Sequence, residues 1–167
     1  TDEAIKIVKG LDERNDIVIV SFHGGAEGKD YQHLTKATEK FYGEDRGNVH
    51  SFAHQMVDAG ADLIFGHGPH VTRAMEIYNE RFIAYSLGNF STYARFNLSG
   101  PNGVAPLVQI FTKPNGEFLR GKIISTHQLG EGGALIDPNK KVLGIINRLN
   151  KSDLPENTLI IDSEGNF

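Results

Sequence analysis

Two short apolar runs, Ile17-Val18-Ile19-Val20 and Leu63-Ile64-Phe65, are each followed by a glycine-rich turn that carries histidine. Runs of this kind read as strands buried on both faces of a parallel sheet. Between them, Val49, Phe52, Ala53, Met56 and Val57 recur at helical spacing behind Asn48, a capping residue, and before Gly60, a stop. The segment therefore predicts a β-α-β unit, with a right-handed crossover. An amphipathic helix from Thr1 to Asn15, with Ile5, Val8 and Leu11 on one stripe, precedes the first strand, and the polar stretch up to Arg46 reads as a loop or short helix. Strand pairs are expected at Ala74–Tyr78 with Arg81–Leu87, and at Leu107–Thr112 with Glu117–His127 across Lys113-Pro114-Asn115-Gly116. Asp137-Pro138 reads as the cap and first residue of a helix carrying Val142, Ile145, Ile146 and Leu149. Thr158–Ile161 reads as a last strand and Glu164-Gly165-Asn166 as a turn.

Composition narrows the function classes. The chain has 167 residues, 39% of them hydrophobic, enough for one α/β domain with a real core. Seventeen basic against twenty-one acidic residues, with no Lys/Arg run, give no support to a nucleic-acid surface. No apolar stretch approaches the ~20 residues of a membrane helix. With no cysteine, disulfides, thiolate metal sites and a cysteine nucleophile are excluded, so any metal is left to His, carboxylate or amide ligands.

The two turns, Ser21-Phe22-His23-Gly24-Gly25 and Gly66-His67-Gly68-Pro69-His70, follow strand ends, where open α/β sheets place ligand sites. Three imidazoles on one rim, His23, His67 and His70, suit a divalent transition metal; hydrogen bonding to loop carbonyls is the plainer role. Glu27 reads as a ligand, a general base or a substrate contact, or as an exposed loop carboxylate. Asn89 either orients a metal ligand or substrate oxygen, or simply forms a turn. Arg73 and Arg95 are candidate anion contacts or surface ion-pair partners. His50 and His54 have the i, i+4 spacing of a zinc-protease helix but lack its glutamate, and read as a solvated face. His33 and His127 have no constellation around them, and Ser86 lies outside any G-x-S-x-G elbow.

Three segments, Asp16 to Glu27, Asp58 to Val71 and Ile83 to Phe90, together resemble the bacterial capsule synthesis protein family of the poly-γ-glutamate CapA/PgsA type. The resemblance implies a calcineurin-like metallophosphoesterase fold, of which this chain is the C-terminal half of a helix-flanked β-sandwich. It implies one domain over 1–167, with a core at about 1–128 and an extension at 129–167. It also implies metal ligands at His23, His67 and His70, with Glu27 and Asn89 nearby; the residues themselves then suggest Glu27 as the catalytic group and Asn89 and Arg73 as substrate contacts. Two divalent ions (Zn, Mn or Fe) are expected in the complete protein, with the first ligands on a missing N-terminal half upstream of Thr1.

Two functions follow from the resemblance. One is a cell-envelope component of capsule or poly-γ-glutamate synthesis or export, anchored through an upstream segment and working with a membrane synthase on an anionic polymer. The other is a metal-dependent phosphoesterase acting on a small substrate. The isolated chain is expected to be inactive and to self-associate or retain an N-terminal fragment. It departs from the family at Gly24, where Trp is frequent, at Gly68, where a second His is frequent, and in spacing its last histidines as G-H-x-P-H rather than G-H-x-H.

Overall fold

The computed structural model describes all residues except Arg95, Glu131 and Thr158. The elements are α1 (Asp2–Asp12), β1 (Ile19–His23), β2 (Glu39–Phe41), β3 (Glu44–Gly47), α2 (Val49–Asp58), β4 (Leu63–His67), β5 (Met75–Tyr78), β6 (Arg81–Ala84), β7 (Val104–Thr112), β8 (Phe118–Gln128), β9 (Ala134–Ile136) and α3 (Lys141–Asp153). They form a mixed α/β architecture with a four-stranded sheet ordered β1-β4-β6-β5, a β2-β3 hairpin and a β7-β8-β9 sheet.

The expected β-α-β unit is present. β1 and β4 pair in parallel from Ile19↔Leu63 to His23↔His67, and α2 lies between them in the chain. Asn48 caps α2 by accepting from the Ser51 N–H at 2.9 Å, and Gly60 ends it with φ 112°. β6 continues the parallel set beside β4, and β5 returns antiparallel across Asn79-Glu80, both of which have positive φ as a tight hairpin turn requires.

Alternation in β4 and β6 sends side chains to two cores. Ile64, Ile83 and Tyr85 face one way, toward Val8 of α1 and Val49, Ala53, Met56 and Val57 of α2. Leu63, Phe82 and Ala84 face the other way, toward Val104 and Ile123 of the second sheet and Val142, Leu143 and Ile146 of α3. Burial on both faces is why β4 reads as a continuous apolar run. The first run departs from the expectation of burial: β1 is an outer strand whose positions alternate between exposed and half-buried, with Ile19 56% exposed.

Several elements differ from the sequence expectation. The stretch before Arg46 holds a 3-10 turn at Lys29–Tyr31 and the β2-β3 hairpin. Helix α3 starts at Lys141 rather than at Pro138: the Asp137 carboxylate accepts from the Asn139 and Lys141 N–H groups and the Ser125 hydroxyl, and Lys140 is left-handed at φ 50°. That turn satisfies the donors a cap would have served. The proposed last strand begins at Thr158, outside the described residues; Leu159–Ile161 is not a strand. Instead, the Asn147 side chain of α3 donates to the Ile161 carbonyl at 2.7 Å and accepts from its N–H at 3.0 Å. Met75, at the outer edge of β5, is held similarly: its N–H donates to Asn150 and its carbonyl accepts from Asn157.

Arg73, an expected rim anion contact, is instead fully buried. Its guanidinium grips Glu39 through two contacts of 2.8 Å and donates to the Tyr31 carbonyl at 2.7 and 2.9 Å. Glu39 also accepts from the Ala26 N–H at 2.7 Å. The pair thus ties the loop after β1, the 3-10 turn and β2 to the β4-β5 connection.

Two stability outcomes follow. Arg73→Met leaves Glu39 buried without its counter-charge and lowers unfolding free energy by about 3–5 kcal/mol, whereas Arg73→Met with Glu39→Leu costs less than that single change; urea midpoints distinguish the two. Burial works to raise the Asp137 carboxyl, but the Lys141 and Asn139 N–H groups and the Ser125 hydroxyl outweigh it and hold it below its usual range. Because the folded value is depressed, this contribution is fully present above the ordinary Asp range and is lost progressively as pH falls from there through the folded value. Asp137→Asn should cost about 1–3 kcal/mol at pH 7 and markedly less at pH 3, read from urea midpoints at the two pH values.

Candidate functional site

The histidine loops meet because small residues let them. A Cβ on Gly66 would stand 2.3 Å from the Tyr85 carbonyl oxygen, and one on Gly68, at φ 124°, would stand 2.5 Å from that of Gly24. With neither present, the Gly24 N–H donates to the His67 carbonyl at 2.8 Å and the Gly28 N–H to the Pro69 carbonyl at 2.8 Å. The parallel register sets His23 beside His67, and the His23 and His70 rings lie 6.1 Å apart, edge to face. Burial, helped by the nearness of His23, pushes the His67 imidazole below its usual pKa. Its neutral, lone-pair form is favoured at neutral pH.

Asn89 is 4% exposed and makes three hydrogen bonds. Its amide nitrogen donates to the carbonyls of His70 and Asn102, both at 3.0 Å, so its oxygen must face His70 Nδ1, also at 3.0 Å. That oxygen only accepts, so Nδ1 carries a proton, and in the neutral ring the lone pair is on Nε2. Nε2 looks across to Glu27 Oε2 at 4.0 Å. Glu27 is itself held by Arg46 at 3.2 Å. His70 adopts φ 57°, a left-handed conformation that turns its ring back over the rim. A cleft of about 380 Å³ opens beside His23, lined among others by Phe22, Thr38, Arg46, Asn48 and Phe52.

The expected residues His23, His67, His70, Glu27 and Asn89 are thus gathered at one rim. Arg73 lies behind it in the ion pair already described, and Arg95 lies outside the described residues. The donor chemistry of the rim suits a borderline transition metal: His70 turns Nε2 to the rim with Nδ1 engaged by Asn89, His67 resists protonation, and a carboxylate stands close by. The three rim histidines do not, however, form a group with all ligand atoms within 4.8 Å of one another. His33 bonds Asp153 at 2.7 Å from an exposed position, and His127 lies 4.0 Å from Asp137.

A second cluster was not expected. His50 and His54 do not form a solvated face: His54 Nε2 lies 2.7 Å from Glu76 Oε1, and the Tyr85 hydroxyl donates to the same oxygen. The sequence signal was Glu76 itself, a carboxylate in the apolar strand Ala74–Tyr78 that needs a partner if buried. Arg46 also escaped notice, since nothing in a polar loop marks it as the partner of Glu27. No described helix is long and apolar enough to cross a membrane.

Comparison with known proteins supplies a lineage. The family described as bacterial capsule synthesis protein PGA_cap matches residues 1–93. The chain is 36% identical over 86 residues to the PGA biosynthesis protein CapA of Bacillus subtilis, covering 52% of this chain and 19% of that protein. It is 37% identical over 75 residues to the capsule biosynthesis protein CapA of Bacillus anthracis, covering 45% and 15%. A probable polyglutamine synthesis accessory protein of Mycobacterium tuberculosis is 36% identical over 74 residues, covering 44% and 16%. The chain thus matches less than a fifth of the length of these curated relatives. With the family match spanning more than half of its residues, including both histidine loops, the chain belongs to the bacterial capsule synthesis protein family PGA_cap.

Proposed function

We propose that the chain contributes the histidine rim of a divalent-metal centre in a capsule-synthesis protein that serves poly-γ-glutamate or a similar anionic polymer. The observation that carries this reading is the Asn89–His70 contact, which fixes a proton on Nδ1 and turns Nε2, the nitrogen free to ligate in the neutral ring, toward Glu27. Carboxamide or carbonyl partners on the distal nitrogen are the usual support of a metal-ligating imidazole. A rim histidine with no such task has no need of a buried asparagine to set its tautomer.

In this reading, His23, His67 and His70 hold zinc, manganese or iron, with the remaining ligands, and a second ion, provided by the part of such proteins beyond the matched length. The parallel β1-β4-β6 strands, the two core layers and the strand-end histidines support a calcineurin-like metallophosphoesterase architecture for the complete domain. A bound divalent ion supplies Lewis acidity and a water of lowered pKa. Glu27, held by Arg46, accepts or returns a proton at the rim, and Arg46 adds a cationic edge to the cleft where a carboxylate or phosphate group would lie. Work on an anionic polymer places the complete protein in the cell envelope, beside a membrane-bound synthase.

Two outcomes test the reading. In a full-length protein carrying this chain, His67→Ala with His70→Ala should lower bound metal, measured by elemental analysis, and reduce polymer output when the variant replaces the native capsule protein; unchanged metal and polymer would refute it. Asn89→Ala should weaken metal binding about 10–100-fold, with the chain still folded by circular dichroism, since it removes a support and not a ligand.

A further inference from the structure

The His50–His54–Glu76 cluster is built from other elements than the rim, on α2 and β5 rather than on the two histidine loops. His50 and His54 stand one turn apart on α2, so both imidazoles leave the same face of the helix. Opposite them are Glu76 on β5 and Tyr85 just after β6. Among the described residues this is the one group of three His or acidic side chains with ligand atoms all within 4.8 Å of one another.

From this geometry we propose that His50, His54 and Glu76 form a second divalent-metal site, separate from the rim, which takes zinc or a similar borderline ion and ties α2 to β5. Tetrahedral zinc holds its ligand atoms roughly 3.3 Å apart at bond lengths near 2.0–2.1 Å, so small rotamer adjustments suffice to close the group. His54 Nε2 and Glu76 Oε1 already share a proton at 2.7 Å, and the ion takes the place of that proton. If His54 is a neutral imidazole, the proton moves to Nδ1; if it is an imidazolium, one proton is released to solvent.

Two further observations support the site. His50 Nε2 is buried and, among the described residues, meets no hydrogen-bond partner, an arrangement that a folded protein rarely keeps without reason. The surroundings also hold the ligands in place: the Tyr85 hydroxyl fixes the Glu76 carboxylate, Tyr78 stacks on His54 with centroids 3.7 Å apart, and Tyr85 lies parallel to His50 at 5.8 Å. A carboxylate oriented by a tyrosine is the kind of support that tunes a metal ligand. Two histidines and one carboxylate leave a fourth position for water.

Zinc titration of this chain, with cobalt(II) as a spectroscopic probe, tests the site. The parent should bind one equivalent more than His50→Ala, which loses affinity at this site by more than about 100-fold, beyond the loss expected from removing a mere support. Because His50 Nε2 makes no hydrogen bond, His50→Ala should leave the metal-free melting temperature nearly unchanged and abolish the rise that zinc gives the parent. Tyr85→Phe should weaken zinc by about 10-fold. His67→Ala should leave this equivalent in place, which separates it from the rim. Equal zinc stoichiometry in the parent and His50→Ala, or cobalt bands that survive His50→Ala, would overturn the proposal; so would loss of the equivalent in His67→Ala alone.

Discussion

The buried Arg73–Glu39 pair is the constraint on which the rim depends. A guanidinium with no exposure must have its charge met and its donors filled, and here a single carboxylate and the Tyr31 carbonyl fill most of them. The groups that meet it come from three other stretches of chain, so the pair selects one arrangement of the loop after β1, the 3-10 turn and the hairpin against the β4-β5 connection. An apolar substitute of equal volume would hold these parts together without specifying how. The pair also backs the floor beneath Gly25 and Ala26, so Glu27 leaves the loop in a defined direction.

Above this floor, the rim is assembled by close backbone approach and finished by one amide. Gly66 and Gly68 allow strand and loop to touch at distances a side chain would forbid, and the resulting carbonyl contacts fasten one histidine loop to the other. Asn89 then decides which nitrogen of His70 is available. This is a division of labour between shape and protonation: glycines place the rings, and the asparagine determines which lone pair one of them offers.

Much of this was legible from the residue pattern, and the failures have identifiable causes. The β1-α2-β4 unit, the β5-β6 and β7-β8 pairs and the gathering of His23, His67, His70, Glu27 and Asn89 follow from apolar runs, capping residues and turn chemistry, all of which are local. The β2-β3 hairpin was missed because Glu39-Lys40-Phe41 and Glu44-Asp45-Arg46 carry too little apolar alternation to signal strands; Glu39 is held by Arg73, a partner 34 residues away. Arg73 misled for the same reason, since its charge suggested exposure while its counter-charge lay far off in sequence. The start of α3 slipped because Asp137 has the chemistry of a cap but spends it on a turn. His50 and His54 were set aside for lack of the intervening glutamate; the carboxylate they meet comes from β5.

The side-chain amides of α3 and the segment after it have a consequence for the sheet as a whole. Asn150 and Asn157 occupy the outward N–H and carbonyl of Met75, so at this point β5 offers no free ladder to an incoming strand. At the opposite margin, β1 carries no such cover among the described residues, and its exposed positions alternate up to His23. A strand laid along β1 to its end would reach His23, and so come beside the metal-suited histidines.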